Sequence, residues 1–209
     1  MAANSEFLNR KLHSFLGVFP VGLFLIQHFA INYFATRGAS AFNQAADFMA
    51  NLPFRYALEI FVIFLPMIYH AFYGIYMAFQ SNSNLRNYSF FRNWLFVLQR
   101  ITGIFLFIFI SWHVWETRIA AAFGKEVNYD MMAEIFSNPL MVIFYIAGIL
   151  SATFHLSNGI WSFLISWGIT TSPKSQKVAT YFTMMLFFTL TFVGIRFTFA
   201  FLDPVLGDM

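Results

Sequence analysis

The sequence predicts an all-α integral membrane protein: five transmembrane helices, the first four bundled around a common core. Three observations predict it. Of the 209 residues, 59% are hydrophobic and only 10% charged, against about 45–50% and about 25% in soluble domains. Twelve basic and nine acidic side chains are too few to cover a soluble protein of this size. Five apolar runs follow one another, each reaching the ~20 residues that cross ~30 Å of hydrocarbon. Polar and helix-breaking residues separate them. An ordinary soluble enzyme, a disordered chain and a secreted disulfide scaffold are thereby excluded. With no Cys, thiolate metal sites, iron–sulfur ligation and covalent c-type haem are excluded as well.

The first run covers 12–34, after Arg10 and Lys11, and is expected to be retained as a span rather than cleaved as a signal peptide. Arg37-Gly38 closes it. The second covers 56–79, between Asn51-Leu52-Pro53 and the polar stretch Gln80-Ser81-Asn82-Ser83-Asn84. The third covers 94–117. The fourth, 139–168, opens at Ser137-Asn138-Pro139 and is long enough to tilt or to reach into the interface. The fifth, 178–201, follows Thr170-Thr171-Ser172-Pro173. Lipid cannot satisfy open backbone groups, so each run reads as a helix, and all are too continuous for barrel strands. No low-complexity tract interrupts the chain, which reads as one unit over 1–209. Arg10, Lys11, Arg86, Arg92, Arg100, Lys174 and Lys177 fall on one side; Arg37, Arg55, Arg118 and Lys125 on the other. That bias places the N-terminus in the cytoplasm and the C-terminus outside.

Four histidines lie deep in these spans, one in each of the first four: His28, His70, His113 and His155. Helical rise puts His28 and His113 at ~9 and ~6 Å from the outer ends of their spans. His70 and His155 come out at ~21 and ~24 Å. The four therefore sort into an outer pair and an inner pair. Each pair comes from alternate helices, which in an up-and-down bundle face each other across the core. Two facing imidazoles suit the two axial positions of one iron, so the pattern predicts two stacked haems. Gly74 and Gly159, each one turn after an inner histidine, and Gly148, two turns before His155, offer room for a flat macrocycle. Ser151 and Thr117 lie on ligand faces and are candidate hydrogen-bond partners. A single intramembrane histidine is as well explained by a hydrogen bond between helices. Four at two depths are better explained by ligation. His13, beside Arg10 and Lys11, reads as a solvated interfacial residue.

The segments HSFLGVFPVGLFLIQHF, LPFRYALEIFVIFLPMIYHAFYGIY, RNWLFVLQRITGI, SWHVWETRIAA and FHLSNGIWSF closely resemble the cytochrome b membrane-anchor subunits of Bacillus-type succinate dehydrogenase, a family related to di-haem fumarate reductase anchors. The likeness covers nearly the whole chain. It implies five helices carrying two b haems, with His28 and His113 on an outer, low-potential haem iron and His70 and His155 on an inner, high-potential one. It implies a flavoprotein partner, where succinate is oxidised, and an iron–sulfur partner that passes electrons to the anchor. It implies menaquinone as the electron acceptor, reduced near the outer haem. Electrons moving outward would be helped by the membrane potential, at ~2.3 kcal/mol per charge per 100 mV.

Quinone reduction needs proton donors, and Glu116, Glu59 and Asp47 lie at or near the outer ends of the spans. Each is also explained as an interfacial charge paired with Arg118 or Arg55. Arg100 is a candidate for the inner haem propionates, with His13 and Ser14 nearby, and Arg196 for the outer ones; snorkelling to the interface is the competing account for both. Two other readings share parts of this pattern. One is the quinone-linked cytochrome b anchor of a different respiratory dehydrogenase. The other is a haem-free helical transporter or scaffold, for which an odd span count without inverted repeats is a poor match.

Overall fold

A computed structural model describes residues 2–83, 85–203 and 205. Among these residues the regular structure is helical throughout, and five stretches are long and apolar enough to cross a membrane: Asn4–Arg37, Arg55–Gln80, Phe91–Ala122, Pro139–Ser166 and Pro173–Ala200.

The first span joins α1 (Ala2–Val18), α2 (Pro20–Asn32) and a 3₁₀ turn, Tyr33–Arg37. Its regularity lapses at Phe19 because Pro20 has no N–H to give the preceding turn. Hydrogen bonds from Phe19 to Phe15 and from Leu23 to Phe19 carry the helix across the lapse. Gly38, at φ 102°, makes the turn out of the span in a conformation other residues avoid. Helix α3 (Ala39–Ala50) follows. The second span joins α4 (Arg55–Leu58), a π-helical segment Glu59–Phe64 and α5 (Leu65–Gln80). The wide turns end where Pro66 again removes a donor. The third joins α6 (Phe91–Val114), a second π-helical segment Trp115–Ile119 and the single turn α7 (Ala120–Ala122). Helix α8 (Tyr129–Phe136) is capped by Asn128, which accepts the Met131 N–H at 2.9 Å. Asn138 caps α9 (Pro139–Ser166), and a reciprocal Ser172–Ser175 capping box opens α10 (Pro173–Ala200).

The predicted spans are all present, with different ends. The first helix starts at Ala2 rather than 12, as a polar extension carrying a Glu6–Arg10 ion pair at 2.8 Å. The fifth starts at Pro173 rather than 178, because Ser172 caps it there. The third runs past 117 to Ala122, and the fourth stops at Ser166, short of Gly168 at φ 72°. Helices α3 and α8 occupy stretches that composition alone assigns to linkers.

Packing arranges the first four spans as a closed ring. Helix α1 lies against α5 and α9, and α6 lies against the same two. Spans one and three, and spans two and four, therefore occupy the two diagonals. Helix α10 packs outside the ring, on α9 and α2. The end that carries the N-terminus is called the near end below. At the far end α3 and α8 pack together, and Ala35, Phe42, Tyr129, Phe136, Tyr145 and Phe201 form the most completely buried cluster. Around the spans, exposed Phe61, Phe72, Phe188 and Phe192 face what lipid would cover. Phe136 is 2% exposed, so Phe136→Ala is expected to cost about 3–5 kcal/mol. The loss should appear as a lowered unfolding midpoint in detergent, with the segment joining α7 to α9 cleaved first by protease.

Candidate functional site

The deep histidines meet across the diagonals. His28 of α2 and His113 of α6 face each other with ring centres 5.8 Å apart and planes at 76°. Nearer the N-terminal end, His70 of α5 and His155 of α9 face each other at 6.1 Å and 87°. Each ring is oriented by a specific neighbour. His70 places Nδ1 2.9 Å from the His13 carbonyl. His155 places Nδ1 3.1 Å from the Gln99 carbonyl and 3.3 Å from the Thr102 hydroxyl. A carbonyl only accepts, so in both rings Nδ1 carries the proton and Nε2 keeps its lone pair for another partner. His113 places Nδ1 3.2 Å from the Tyr145 hydroxyl. His28 differs: its Nε2 lies 3.4 Å from the Asn32 amide, which also donates to the His28 carbonyl at 2.8 Å.

One device serves both near-end rings. The carbonyls of His13 and Gln99 already belong to helical turns whose N–H comes four residues later. In each case that residue is glycine. A Cβ on Gly17 would stand 2.3 Å from His70 Cε1, and one on Gly103 2.9 Å from His155 Cε1. The missing side chains let each imidazole reach a helix backbone from outside. Gln99 tightens the same joint: it donates to the His155 carbonyl at 3.0 Å and accepts from Asn158 at 2.8 Å.

Several expectations change. His13 is not a solvated interfacial residue. Its ring stacks on His70 at 4.0 Å and 6°, and its Nδ1 is buried without a hydrogen bond. Gly74 makes room for His13, and Gly148 for Phe109, rather than for a ligand on its own helix. Thr117 donates to the His113 carbonyl at 2.6 Å, not to the ring. The residues that hold the rings, Tyr145, Gln99 and Thr102, are not among those the sequence singles out. Gln99 and Asn158 carry one signal, as isolated amides inside apolar spans; nothing in the sequence ties Tyr145 to His113.

The carboxylates separate. Glu59 binds Arg118 at 2.7 Å and Arg55 at 3.5 Å, joining the second and third spans at the far end. Glu116 accepts the Tyr145 hydroxyl at 2.9 Å. Asp47 is exposed on α3, with no partner among the described residues. Arg100 lies at the near end. It bonds Ser81 and the Phe96 carbonyl, with its guanidinium 3.3 Å above the Phe96 ring. Arg196 is exposed on α10, with no partner among the described residues.

Among the described residues no three His, Asp or Glu side chains gather as a metal cage. A metal here would need its other positions filled by something besides protein, as a macrocycle does. The rings fit that demand. Two imidazole nitrogens at about 2 Å from one metal, on opposite sides, put ring centres roughly 6 Å apart, the separation both pairs show.

Comparison with known proteins gives the same direction. Residues 80–195 match the family of succinate dehydrogenase/fumarate reductase transmembrane subunits. Over 201 residues, 96% of this chain and the whole of the relative, the sequence is 63% identical to the succinate dehydrogenase cytochrome b558 subunit of Bacillus subtilis (strain 168).

The glycine device makes a direct prediction. Gly17→Ala and Gly103→Ala should leave the fold intact, since each new methyl meets the movable end of a side chain, but should swing His70 or His155 out of line. If each histidine pair holds a haem, haem titration of the purified chain should then show the binding that depends on that pair lost and the other kept. Gly159→Ala, whose methyl would meet only Gln99 Nε2 at 3.5 Å, should keep both.

Proposed function

We infer the role of this chain from its family: it belongs to the succinate dehydrogenase/fumarate reductase transmembrane subunits. It is the cytochrome b membrane-anchor subunit of a succinate dehydrogenase, a multi-pass part of a succinate:quinone oxidoreductase. The observation that carries the finer reading is the two facing imidazole pairs, on opposite diagonals and at two depths. In this reading His28 with His113, and His70 with His155, each hold one b haem. Bound there, the two haems would supply one-electron conduction between the membrane faces.

The protein's own contribution is placement. The His13 and Gln99 carbonyls fix the near-end rings, and the aromatic packing of the spans keeps water from them. Arg100, held by Ser81 and Phe96, is proposed for the propionates of the near-end group. Arg196 is proposed for the far-end one. The near end faces the cytoplasm, where basic Arg10, Lys11, Arg86, Arg92, Lys174 and Lys177 lie, and receives the iron–sulfur and flavoprotein subunits. A chain without cysteine or a flavin motif requires both. Menaquinone is reduced at the far end, with protons delivered by Glu59, Glu116 or Asp47. The Arg55–Glu59–Arg118 chain gives Glu59 charged neighbours that hold it at the rim, between water and the bundle.

Two experiments test this. Replacing each deep histidine in turn and following the haem spectrum by redox titration should group the variants two and two. His28 and His113 variants should lose or shift one component, and His70 and His155 variants the other. Spectra that pair the histidines otherwise, or lack b-type bands in the parent complex, overturn the reading. Among Glu59→Gln, Glu116→Gln and Asp47→Asn, at least one should lower quinone reduction by about 10²-fold or more with both haem components present. Full activity in all three excludes the proposed donors.

A further inference from the structure

The two histidine pairs are held by different chemistry. Both near-end rings donate to neutral backbone carbonyls. At the far end His113 meets a side chain, and that side chain is itself engaged. The Tyr145 phenol has one proton, and it lies toward Glu116 Oε2 at 2.9 Å. A carboxylate oxygen accepts, so the phenol proton is committed to Glu116. The same phenol oxygen, 3.2 Å from His113 Nδ1, is then the acceptor for the ring N–H. His113 is thereby left with Nε2 as its lone-pair nitrogen, as His70 and His155 are.

The three residues come from separate requirements. Glu116 follows His113 by three positions, so both lie on one helix face and reach the same neighbour on α9. Arg118, two residues beyond Glu116, turns to the opposite face and takes Glu59 instead. Tyr145 is 4% exposed and wedged edge-on between Phe109 and Phe136, at 5.4 and 4.9 Å. Phe109 also lies nearly parallel to His113, at 6.0 Å and 13°, and keeps its place because Gly148 has no side chain to displace it. The phenol therefore cannot leave the ring without breaking a packed aromatic cluster.

We propose that Tyr145 and Glu116 form a carboxylate-anchored relay that positions His113 and makes it a more electron-rich ligand than either near-end histidine. A phenol that donates to a carboxylate is polarised, and its oxygen becomes a stronger acceptor for the next hydrogen bond in the chain. A ring N–H held by a stronger acceptor makes the other nitrogen a better donor to metal. The oxidised, more positive iron gains most from such a ligand. The relay therefore lowers the reduction potential of the far-end site relative to the near-end site, where the acceptors are neutral. The inference rests on the haem reading given above and concerns residues that touch the ligand, not the iron.

The test is redox titration of the complete complex in membranes, with the far-end component identified as the one lost in the His113→Ala variant. Tyr145→Phe keeps the packed ring and removes the relay. The far-end potential should rise by about a tenfold change in the oxidised-to-reduced ratio, which is 59 mV for a one-electron couple, with the near-end potential unchanged. Glu116→Gln keeps an acceptor for the phenol but not its charge, and should move the same component the same way by less. In the Tyr145→Phe background Glu116→Gln should add little, because its effect passes through the phenol. An unmoved or lowered far-end potential overturns the relay, as does equal movement of both components. Full additivity of the two changes also overturns it, since the carboxylate would then act through space. If Tyr145→Phe does not assemble, Glu116→Gln alone decides: a raised far-end potential supports the relay, and an unmoved or lowered one overturns it. A parent complex without two b-type components counts against the haem reading and not against the relay.

Discussion

The interaction on which the core depends is a hydrogen bond from an imidazole Nδ1 to an oxygen on a neighbouring helix. A histidine at bilayer depth has two nitrogens and no water to serve them. In His70, His155 and His113, tying Nδ1 to a fixed acceptor removes one demand, selects the tautomer and leaves Nε2 free for another partner; His28 instead has its Nε2 beside the Asn32 amide. The diagonals follow from the ring of four spans, in which each helix touches its two neighbours in the ring. Because spans alternate in direction, the two spans on each diagonal run the same way, so their residues stand level only if they lie at similar distances along them. His70 with His155 and His28 with His113 satisfy that condition. The glycines across from the near-end rings then follow from the acceptors used there. A backbone carbonyl inside a helix is shielded by the side chain one turn on, and at Gly17 and Gly103 that shield is absent.

How much of this is legible depends on what a sequence can encode locally. The spans are legible because hydrocarbon sets their length, and length and hydropathy are sums over residues. Their ends are less so. Pro173 extends α10 because Ser172 and Ser175 cap it reciprocally, and α1 continues through Glu6 and Arg10 into a region that composition marks as polar. Helices α3 and α8 are not legible as separate elements. Each is short, and is held by packing of Phe42, Tyr129 and Phe136 against the ends of spans far away in sequence.

The histidine pairs can be read from depth arithmetic because depth in a membrane helix is countable from its end. Their orienting partners cannot, for two different reasons. Carbonyls leave no mark in a sequence, so His13 and Gln99 give no sign of accepting from His70 and His155. The glycines do leave a mark, but not where the helix period suggests, one turn from each histidine on its own helix at Gly74 and Gly159. The space is needed on the facing helix, where the ring arrives. The useful signature is therefore not a histidine followed by glycine. It is a glycine one turn after the residue whose carbonyl a neighbour's imidazole will use, and it becomes readable only once the neighbour is known.

The two ends of the bundle are finished in different ways. At the far end, α3 and α8 bury an aromatic cluster, and Glu59 locks the second span to the third through Arg118. At the near end, Phe7, Leu8, Tyr88, Phe90, Phe91 and Trp94 remain exposed among basic residues. Phe48, Phe54 and Phe123 are likewise exposed at the far end, so the two ends differ in how the imidazoles are held rather than in how fully the chain covers them. The far end can use side-chain acceptors such as Tyr145 because its own aromatic packing holds them still. The near end relies on backbone acceptors, whose positions are set by the helices whether or not a partner is docked. Rigid orientation of the imidazoles is thus reached at both ends by whichever scaffold is already rigid there.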